Sequence, residues 1–390
     1  MALPLRYNWR NLFVRKLSTM LTFIVVAAVV LVLSVLLSFA AGIRASLAVS
    51  GCPENVIVLK PGATSESTSV IFPDEVNRIV QAPGIARDAS GRLLVSQELC
   101  VQATLPRRDN PGAVANVAVR GVDDIGFELH KGVRLVEGRR FRPGALEVVV
   151  GKAAHDRYAG LGLGDEVLLG RLRNRRFKVV GVFESGGSAL ESEIWAPRTS
   201  VADSYLRVFC SSALIRLADA GLVPAAIAYI NGPAVNLDAK RETDYYKDLS
   251  TKTREIVVLT TILVGIMAVG AAFAVANTMY AAVDGRRREI AMLRTIGFSR
   301  GAIVVAFLVE SLLICTAACL FGLLLSLLIH GSRQDYLSDA TWTVLAFELK
   351  VTPTTMLVSL SLAAFVALAG ALAPAVRASK TNVIEALRKA

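Results

Sequence analysis

The chain has 390 residues, a formal net charge of +11, 54% hydrophobic residues and a mean hydropathy of +0.52. This apolar content exceeds the ~45–50% typical of soluble domains and is concentrated in four blocks, which indicates a membrane protein. The basic excess does not indicate nucleic-acid binding, because arginines and lysines cluster beside the apolar blocks and no nucleic-acid-binding pattern occurs.

The N-terminal segment alternates basic and apolar side chains. Residues 1–17, which include Trp9, are predicted to form an amphipathic helix at the cytoplasmic face of a membrane. The uncharged run at residues 18–43 is predicted to be the first transmembrane helix. A cleaved signal peptide is the alternative, but this run exceeds the ~7–15 residues of a signal-peptide core. A retained span is therefore favoured.

Residues 44–240 regain charges, prolines and glycines and contain no spanning run. They are predicted to form a mixed α+β extracytoplasmic domain of two lobes. Strands are predicted at residues 55–59, 115–119, 147–150, 166–169, 178–183 and 213–217, and helices at 73–81 and 153–159. The glycines at 160, 162 and 164 could suggest a phosphate-binding loop, but a strand follows them rather than a helix, so a tight turn is favoured.

A stalk helix is predicted at residues 241–255, leading directly into a second transmembrane helix at 256–283. The second span has no charged side chain and contains many small residues. Gly265 and Gly270, together with the polar Asn277, are predicted to lie in a transmembrane helix interface, because small residues allow helices to approach closely.

The basic loop at residues 284–300 is predicted to form a short helix at the cytoplasmic membrane face, where clustered arginines are expected. Its apolar residues at helical spacing are Ile290, Leu293 and Ile296, and its basic residues at other positions are Arg287, Arg288 and Arg294. Gly297 stands where a left-handed cap would end the helix. The pattern leaves two interpretations open: a helix lying on anionic headgroups, or a docking helix for a cytoplasmic partner.

The third predicted span, residues 301–329, contains Glu310, and an ionisable group in a membrane helix is a functional candidate by default. Glu310 lies near the cytoplasmic edge, and the spans offer no basic or histidine partner for proton transfer. A structural or interface role is therefore favoured over a proton relay.

A short outer loop of mixed charge is predicted at residues 330–350, followed by a fourth span at 351–376 and a basic cytoplasmic tail at 377–390. Four spans place both termini in the cytoplasm, in agreement with the basic clusters. The predicted fold is an α-helical membrane protein with four transmembrane helices plus the large α+β extracytoplasmic domain.

The sequence shows no catalytic motif. The three histidines have no metal-ligand spacing, and the Gly-x-Ser-x-Gly pattern of hydrolases does not occur. The nucleotide-binding pattern Gly-x-x-x-x-Gly-Lys-Ser/Thr does not occur either, so any ATP that drives the protein is expected to be hydrolysed by another chain.

Cys315 and Cys319 share a helix face and are predicted to pack. The pairing of Cys52, Cys100 and Cys210 is left open.

Several stretches resemble the MacB/FtsX-like (type VII) ABC transporter permeases. The specific stretches are RRREIAMLRTIGFSR at 286–300, PAVRA at 374–378 and IEALR at 384–388, and a weaker one is RGVD at 120–123. The order of one span, a large outer domain and three closely spaced C-terminal spans is similar to this family. Because no fused ATPase is present, the chain resembles the separate-subunit DevC and LolC/LolE type.

The resemblance implies a non-catalytic permease subunit in a bacterial inner membrane, surrounded by lipids and paired with a second copy or a homologous permease. A separate ABC ATPase would bind ATP and Mg²⁺, so no cofactor is expected in this chain. The implied coupling residues are Arg287, Arg288, Glu289, Ile290, Leu293, Arg294, Ile296 and Gly297. Aspartate at position 290 or 293 is then expected to uncouple ATP hydrolysis without unfolding the spans.

The implied mechanism is mechanotransmission: ATP-driven movements change the extracytoplasmic domain and export or extract a hydrophobic or amphiphilic substrate, with or without a periplasmic adaptor. The spans contain few polar residues, unlike carriers that bind their substrate at the membrane midplane. Two alternatives remain: an FtsX-like transducer that regulates a cell-wall hydrolase, and a membrane-anchored receptor without an ATPase.

Overall fold

The computed structural model describes residues 16–251, 254–337 and 343–380. These residues divide into two compact units. The helical unit comprises residues 16–41, 254–332 and 349–380, and the sheet domain comprises 42–253 and 333–348. The predicted N-terminal amphipathic helix at 1–17 lies almost wholly outside the described residues, as does most of the predicted tail at 377–390.

The helices, numbered in chain order, are α1 (Lys16–Ser50), α2 (Pro73–Ile79), α3 (Gly126–Leu129), α4 (Lys152–Arg157), α5 (Arg198–Tyr205), α6 (Val223–Asn231), α7 (Glu242–Thr251), α8 (Arg254–Gly285), α9 (Arg287–Thr295), α10 (Arg300–Leu327) and α11 (Pro353–Ser379). Among the described residues, α1, α8, α10 and α11 are long and apolar enough to cross a membrane. This confirms the predicted combination of four long apolar helices with an α/β domain.

The first long helix extends further than the predicted span at 18–43. It continues through Arg44 to Ser50. The prediction ended where the uncharged run ends, but a single arginine does not terminate a helix. Gly51 follows Ser50 directly and Pro53 comes two residues later, and both residue types favour helix ends.

The strands are β1 (Asn55–Leu59), β2 (Val95–Pro106), β3 (Val114–Val122), β4 (Arg134–Gly138), β5 (Glu147–Gly151), β6 (Glu166–Leu169), β7 (Arg175–Glu184), β8 (Glu193–Pro197), β9 (Ser212–Arg216), β10 (Asp238–Arg241), β11 (Arg333–Leu337) and β12 (Val344–Glu348). One sheet has the order β10-β1-β9-β2-β3-β8-β5-β7-β4, with β6 also paired to β7. The β3–β8 and β5–β7 pairs are parallel, and the other pairs are antiparallel.

Every residue of β1, β5, β8 and β9 is buried. Continuous burial explains the apolar runs of β1 (Val56 to Leu59) and β5 (Val148 to Val150), which do not alternate with polar residues. One hydrophobic cluster surrounds β1 and β9 and includes Ile215, and another surrounds β5 and β7 and includes Phe177. The division into two lobes stays a prediction.

Each predicted strand of this domain overlaps a strand of the sheet, and the expected hairpin forms with Glu166 opposite Lys178. The run of glycines before this hairpin is a turn, in which the N–H of Gly162 donates to Asp165 Oδ2 at 2.8 Å. The twelve-residue β2 was missed. The polar residues of β2 interrupt the hydrophobic pattern from which strands were predicted. One of them, Glu98, is nevertheless buried, because it faces a charged cluster rather than solvent.

The segment predicted as an outer loop, residues 330–350, contains two strands that the prediction did not include. Strands β11 and β12 form an antiparallel hairpin that belongs to the sheet domain. Its Asp335 forms ion pairs with Arg107 (3.1 Å) and Arg157, and Ser192 Oγ accepts from the N–H of Ala346 at 2.8 Å. The mixed charge of this segment therefore reflects ion pairs across the sheet domain.

The predicted stalk at 241–255 corresponds to α7 and the first residues of α8, while residues 252–253 lie outside the described chain. Helix α7 is anchored within the sheet domain. The carboxylate of Glu242 accepts from the N–H of Cys52 and the side-chain amide of Asn55, both at 2.8 Å, and Tyr245 and Tyr246 are buried.

Candidate functional site

The short helix α9 occupies the basic loop between the long helices α8 and α10. Glu289 lies in its first turn and Arg294 in its last turn, where their charges complement the helix dipole. Arg287 donates to Asp284 Oδ1 at 3.0 and 2.7 Å, joining the start of α9 to the end of α8. The predicted loop helix is therefore present.

The C-terminus of α9 ends in a Schellman motif, as Gly297 predicted. The N–H of Phe298 donates to the Leu293 carbonyl at 3.1 Å, and the N–H of Gly297 donates to the Arg294 carbonyl at 3.2 Å. Gly297 has φ +105°. This conformation is unfavourable for residues with a Cβ, so glycine ends the helix sharply at this position.

We expect Gly297→Ala to destabilise this turn by about 1–2 kcal/mol, because alanine resists the positive φ. The matched control is Gly301→Ala, since Gly301 has ordinary helical geometry inside α10 and its added Cβ meets no atom within 4 Å. Hydrogen exchange of the α9 amides in the full-length protein measures the difference. Equal exchange in the two variants would contradict this role of Gly297.

The start of α9 is attached to α10 by a buried ion pair. The Arg286 guanidinium donates to Glu310 through two hydrogen bonds of 2.8 and 2.9 Å. Both side chains are almost inaccessible to solvent. Glu310 was predicted to have a structural or interface role, and its position in this pair supports that interpretation.

The other end of α9 is attached to α11. Arg294 Nη1 donates to the backbone carbonyl of Ser379 at 3.0 Å, at the last residue of α11. A cation at this position also complements the negative end of the helix dipole of α11. Arg286 and Arg294 therefore fix the two ends of α9 to different long helices.

The exposed face of α9 differs from the predicted one. Ile290 is only 3% exposed and packs in the core of the helical unit, so it cannot be a surface contact, which corrects its assignment. Leu293 and Arg294 are half-buried, whereas Arg287, Arg288 and Glu289 are exposed. Met292 and Ile296 are 51% and 70% exposed, and these two apolar side chains form the accessible apolar surface of α9.

The prediction that Gly265, Gly270 and Asn277 of α8 lie in a transmembrane helix interface stays a prediction, because these residues do not pack within the single chain. Gly265, Gly270 and Asn277 are exposed in this chain, and a Cβ added at either glycine would meet no atom within 4 Å. Within this chain, the buried residues of α8 are Val264, Ala268, Ala271, Val275, Thr278, Met279, Ala282 and Val283. Small residues occur on more than one face of α8, so composition alone could not identify the packed face.

Close helix contacts involve glycines on the partner helices. A Cβ at Gly370 of α11 would lie 2.6 Å from the Ala272 carbonyl oxygen of α8, and one at Gly322 of α10 would lie 2.7 Å from that of Ala27 in α1. Polar contacts inside the unit include Ser34–Ser359 at 3.1 Å, Ser311 Oγ donating to the Ala367 carbonyl at 2.9 Å, and Thr22–Thr278. The helices therefore form a closely packed bundle.

A second group of functional candidates lies in the sheet domain and centres on Arg120 of β3. This buried guanidinium donates to the carboxylates of Glu66, Glu98 and Glu193 at 2.6 to 2.9 Å. Trp195 Nε1 also donates to Glu193 Oε2 at 2.8 Å. Arg120 thereby joins side chains from β2, β8 and the turn around residue 66, and a long-range cluster of this kind has no signal in sequence spacing.

His130 extends this buried cluster. Its Nε2 lies 3.0 Å from Glu98 Oε1, and its Nδ1 lies 3.8 Å from Glu242 Oε1. Burial alone would lower the pKa of His130, but the charge and hydrogen bond of Glu98, with the charge of Glu242, outweigh burial and raise it. Burial opposes ionisation of Glu98 too, yet His130 and Arg120 lower the pKa of its carboxyl to about 2. Burial raises the pKa of Glu242.

These shifts predict that His130 stabilises the fold more at pH 6 than at pH 8.5. A histidine with a raised pKa contributes its full stability below its unfolded pKa of ~6.5 and loses it as pH rises through the folded pKa. We expect the thermal midpoint of the full-length protein to rise from pH 8.5 to pH 6 by more than that of His130→Gln. The same pH profile in both proteins would show that His130 does not ionise in this way.

The described residues contain no cluster of three or more His, Cys, Asp or Glu side chains arranged to hold a metal ion. All five cysteines are free thiols. Burial raises the pKa of Cys210 to about 11, so its thiol is a poor nucleophile at neutral pH. What α9 exposes is a contact surface formed by arginines and two apolar side chains, Met292 and Ile296.

Two family models cover most of the chain. Residues 17–232 match the MacB-like periplasmic core domain, and residues 261–383 match the FtsX-like permease C-terminal region. The second match contains α9, Glu310 and all of α11. The first match contains Arg120 and His130.

Curated relatives have related names. The macrolide export ATP-binding/permease protein MacB 1/2 of Paracoccus denitrificans is 28% identical over 298 residues, covering 70% of this chain and 42% of that protein. The macrolide export ATP-binding/permease protein MacB of Neisseria gonorrhoeae is 25% identical over 322 residues, covering 75% of this chain and 48% of that protein. The chain thus spans less than half the length of these relatives.

Among solved structures, the periplasmic region of MacB from Actinobacillus actinomycetemcomitans aligns with 51% of this chain and 93% of that chain, at 13% identity and a TM-score of 0.37. The extracellular domain of YknZ, a noncanonical ABC-type transporter of Gram-positive bacteria, aligns with 45% and 91%, at 16% identity and a TM-score of 0.34. On the evidence of the two family models, the chain belongs to the MacB/FtsX-like permeases of ABC transporters.

Proposed function

We propose that this chain is a permease subunit that couples ATP hydrolysis by a partner ATPase to movement of its extracytoplasmic sheet domain. The single observation that carries the proposal is the attachment of α9 at both ends, through Arg286 to Glu310 and through Arg294 to Ser379. A partner that displaces α9 would therefore displace α10 and α11 with it. Met292 and Ile296 provide an accessible apolar contact for that partner.

The ion pair at the start of α9 suits force transmission. Arg286 and Glu310 form two parallel hydrogen bonds, which fix orientation as well as distance. Both side chains are largely removed from solvent, at 11% and 5% exposure, so separating them would leave poorly compensated charges. Burial of Ile290 and Ala291 holds the middle of α9 against the bundle.

The proposed location is a bacterial inner membrane, with α9 and both termini in the cytoplasm and the sheet domain in the periplasm. The arginines of the α9 loop support this orientation through the positive-inside rule. ATP and Mg²⁺ would bind to an ATPase that is not part of the 390 residues printed here. A dimer of this chain, or of this chain with a related permease, would present one α9 to each of two ATPase units.

The proposed transport mode is mechanotransmission: the sheet domain moves a hydrophobic or amphiphilic substrate outside the bilayer, with or without a periplasmic adaptor. Few polar groups occur in the four spans, which favours this mode over a binding site at the membrane midplane. The relatives named above are macrolide exporters, and macrolides fall within this proposed substrate class.

Purification of the intact complex from membranes tests the proposal. With a tag on this chain, we expect a bound ATPase and ATP hydrolysis that depends on its presence. Recovery of the chain without any nucleotide-hydrolysing partner would contradict the proposal and favour a receptor. Recovery of both an ATPase and a cell-wall hydrolase would favour a signal transducer over a transporter.

A further inference from the structure

The sheet domain contains a cavity of about 490 Å³ that the proposed function does not use. It lies between the start of β4, the start of α4, the turn that follows β7, and the hairpin of β11 and β12. Its volume is within the range of about 300–1,000 Å³ that is usual for small-molecule sites. All its lining residues belong to the sheet domain.

The cavity has a basic lining. Its cationic residues are Lys131, Arg134, Lys152 and Arg333, and its acidic residues are Glu184, Glu191 and Glu348. Two acidic residues already have strong partners: Glu184 accepts from Arg134 at 2.6 Å, and Glu191 accepts from the N–H groups of Ser185 and Gly187 at 2.7 and 2.8 Å. Glu348 lies 3.9 Å from Arg333.

Lys152 differs from the other cations of the cavity. Lys131 forms an ion pair with Glu54 at 2.7 Å, and Arg333 forms one with Asp156 at 2.8 Å. Within the described parts of the chain, half-buried Lys152 has no hydrogen-bonded or ion-pair partner. The acidic group on which Lys152 acts electrostatically is Glu184, whose carboxylate is already hydrogen-bonded to Arg134, so the Lys152 ammonium keeps its hydrogen-bond donors for an anion.

The adjacent turn provides a second, independent indication. Ser188 lines the cavity and is buried, and its Oγ has no hydrogen-bond partner within the described chain. A buried hydroxyl without a hydrogen-bond partner is unfavourable, because it has lost its hydrogen bonds to water. An oxygen-rich ligand in the cavity would give this hydroxyl an acceptor. Ala153 and Phe347 supply apolar surface beside it.

We propose that this cavity binds an oxyanion group, a phosphate or a carboxylate, with Lys152 as its principal cation and Ser188 as a hydrogen-bond donor. The group belongs either to a free solute or to a lipid headgroup. The proposal is independent of ATPase coupling.

The test uses the full-length chain in detergent. Inorganic phosphate is titrated by calorimetry, and binding of phosphatidylglycerol against phosphatidylcholine is counted by native mass spectrometry. Lys152→Gln removes the charge and Lys152→Arg retains it. Lys178→Gln is the matched control, because Lys178 is an exposed lysine of the same domain outside the cavity.

We expect Lys152→Gln to weaken binding roughly tenfold or more, as for the loss of a hydrogen bond to a charged group, while the other two variants bind as the unchanged protein does. A Lys152-dependent loss of phosphate binding identifies a free oxyanion, and such a loss for phosphatidylglycerol alone identifies a headgroup. If neither ligand binds, or if Lys152→Gln and Lys178→Gln bind equally well, the proposal is overturned. Thermal unfolding of each variant confirms that the domain is folded.

Discussion

Replacing Ile296 with aspartate is expected to abolish coupling between ATP hydrolysis and substrate movement, while changing the stability of the chain by no more than about 0.5 kcal/mol. Ile296 is 70% exposed at the end of α9, so its side chain contributes little to packing within the chain. As an apolar anchor at the centre of a contact, it is expected to contribute about 2 kcal/mol or more to ATPase binding, which corresponds to roughly thirtyfold in affinity.

The matched control is Ile290→Asp, at a buried position of the same helix. Ile290 is 3% exposed, so an aspartate there buries a charge in the core of the helical unit and lowers the thermal midpoint. Copurification of the ATPase, hydrolysis rate and thermal stability are measured for both variants. If Ile296→Asp retains the ATPase and normal coupling, the exposed face of α9 is not the contact.

The second large effect is expected in the sheet domain, where Arg120→Met should lower the free energy of unfolding by about 3–5 kcal/mol. Arg120 is surrounded by Glu66, Glu98 and Glu193, and its removal leaves three buried carboxylates without their shared cation. Methionine fills a similar volume, so the loss reflects charge rather than a cavity.

The control for Arg120 is Arg176→Met, which breaks the exposed pair with Glu166 at 3.2 Å. An exposed pair contributes about 0–1 kcal/mol, so this variant should unfold almost as the unchanged protein does. Urea unfolding followed by tryptophan fluorescence, to which Trp195 beside the cluster contributes, measures both variants. A similarly small change in the two variants would mean that the Arg120 cluster contributes little net stability.

The long helices and the loop helix could be predicted from sequence because their signals are local. An uncharged run specifies a span wherever it occurs, and Gly297 marks the end of α9 through its own backbone conformation. The spacing of Ile290, Leu293 and Ile296 correctly predicted a helix. It did not show which of these residues faces the bundle, because that depends on the position of α10 and α11.

The parts that were missed depend on contacts between distant residues. Glu98 made β2 resemble a surface segment, but its partners Arg120 and His130 lie elsewhere in the chain. Asp335 made the segment between α10 and α11 resemble a solvent loop, but it pairs with Arg157 of the sheet domain. Charged residues that are buried in pairs have the same sequence pattern as exposed ones.

Site-specific photo-cross-linking tests the central claim most directly. A photoreactive amino acid is placed at Ile296 on α9 or at Phe273, which is 71% exposed on the long helix α8, and membranes containing the complex are irradiated. We predict that position 296 cross-links to a protein that hydrolyses ATP and that position 273 does not. Cross-links from position 296 only to lipid or to this chain itself would contradict the account.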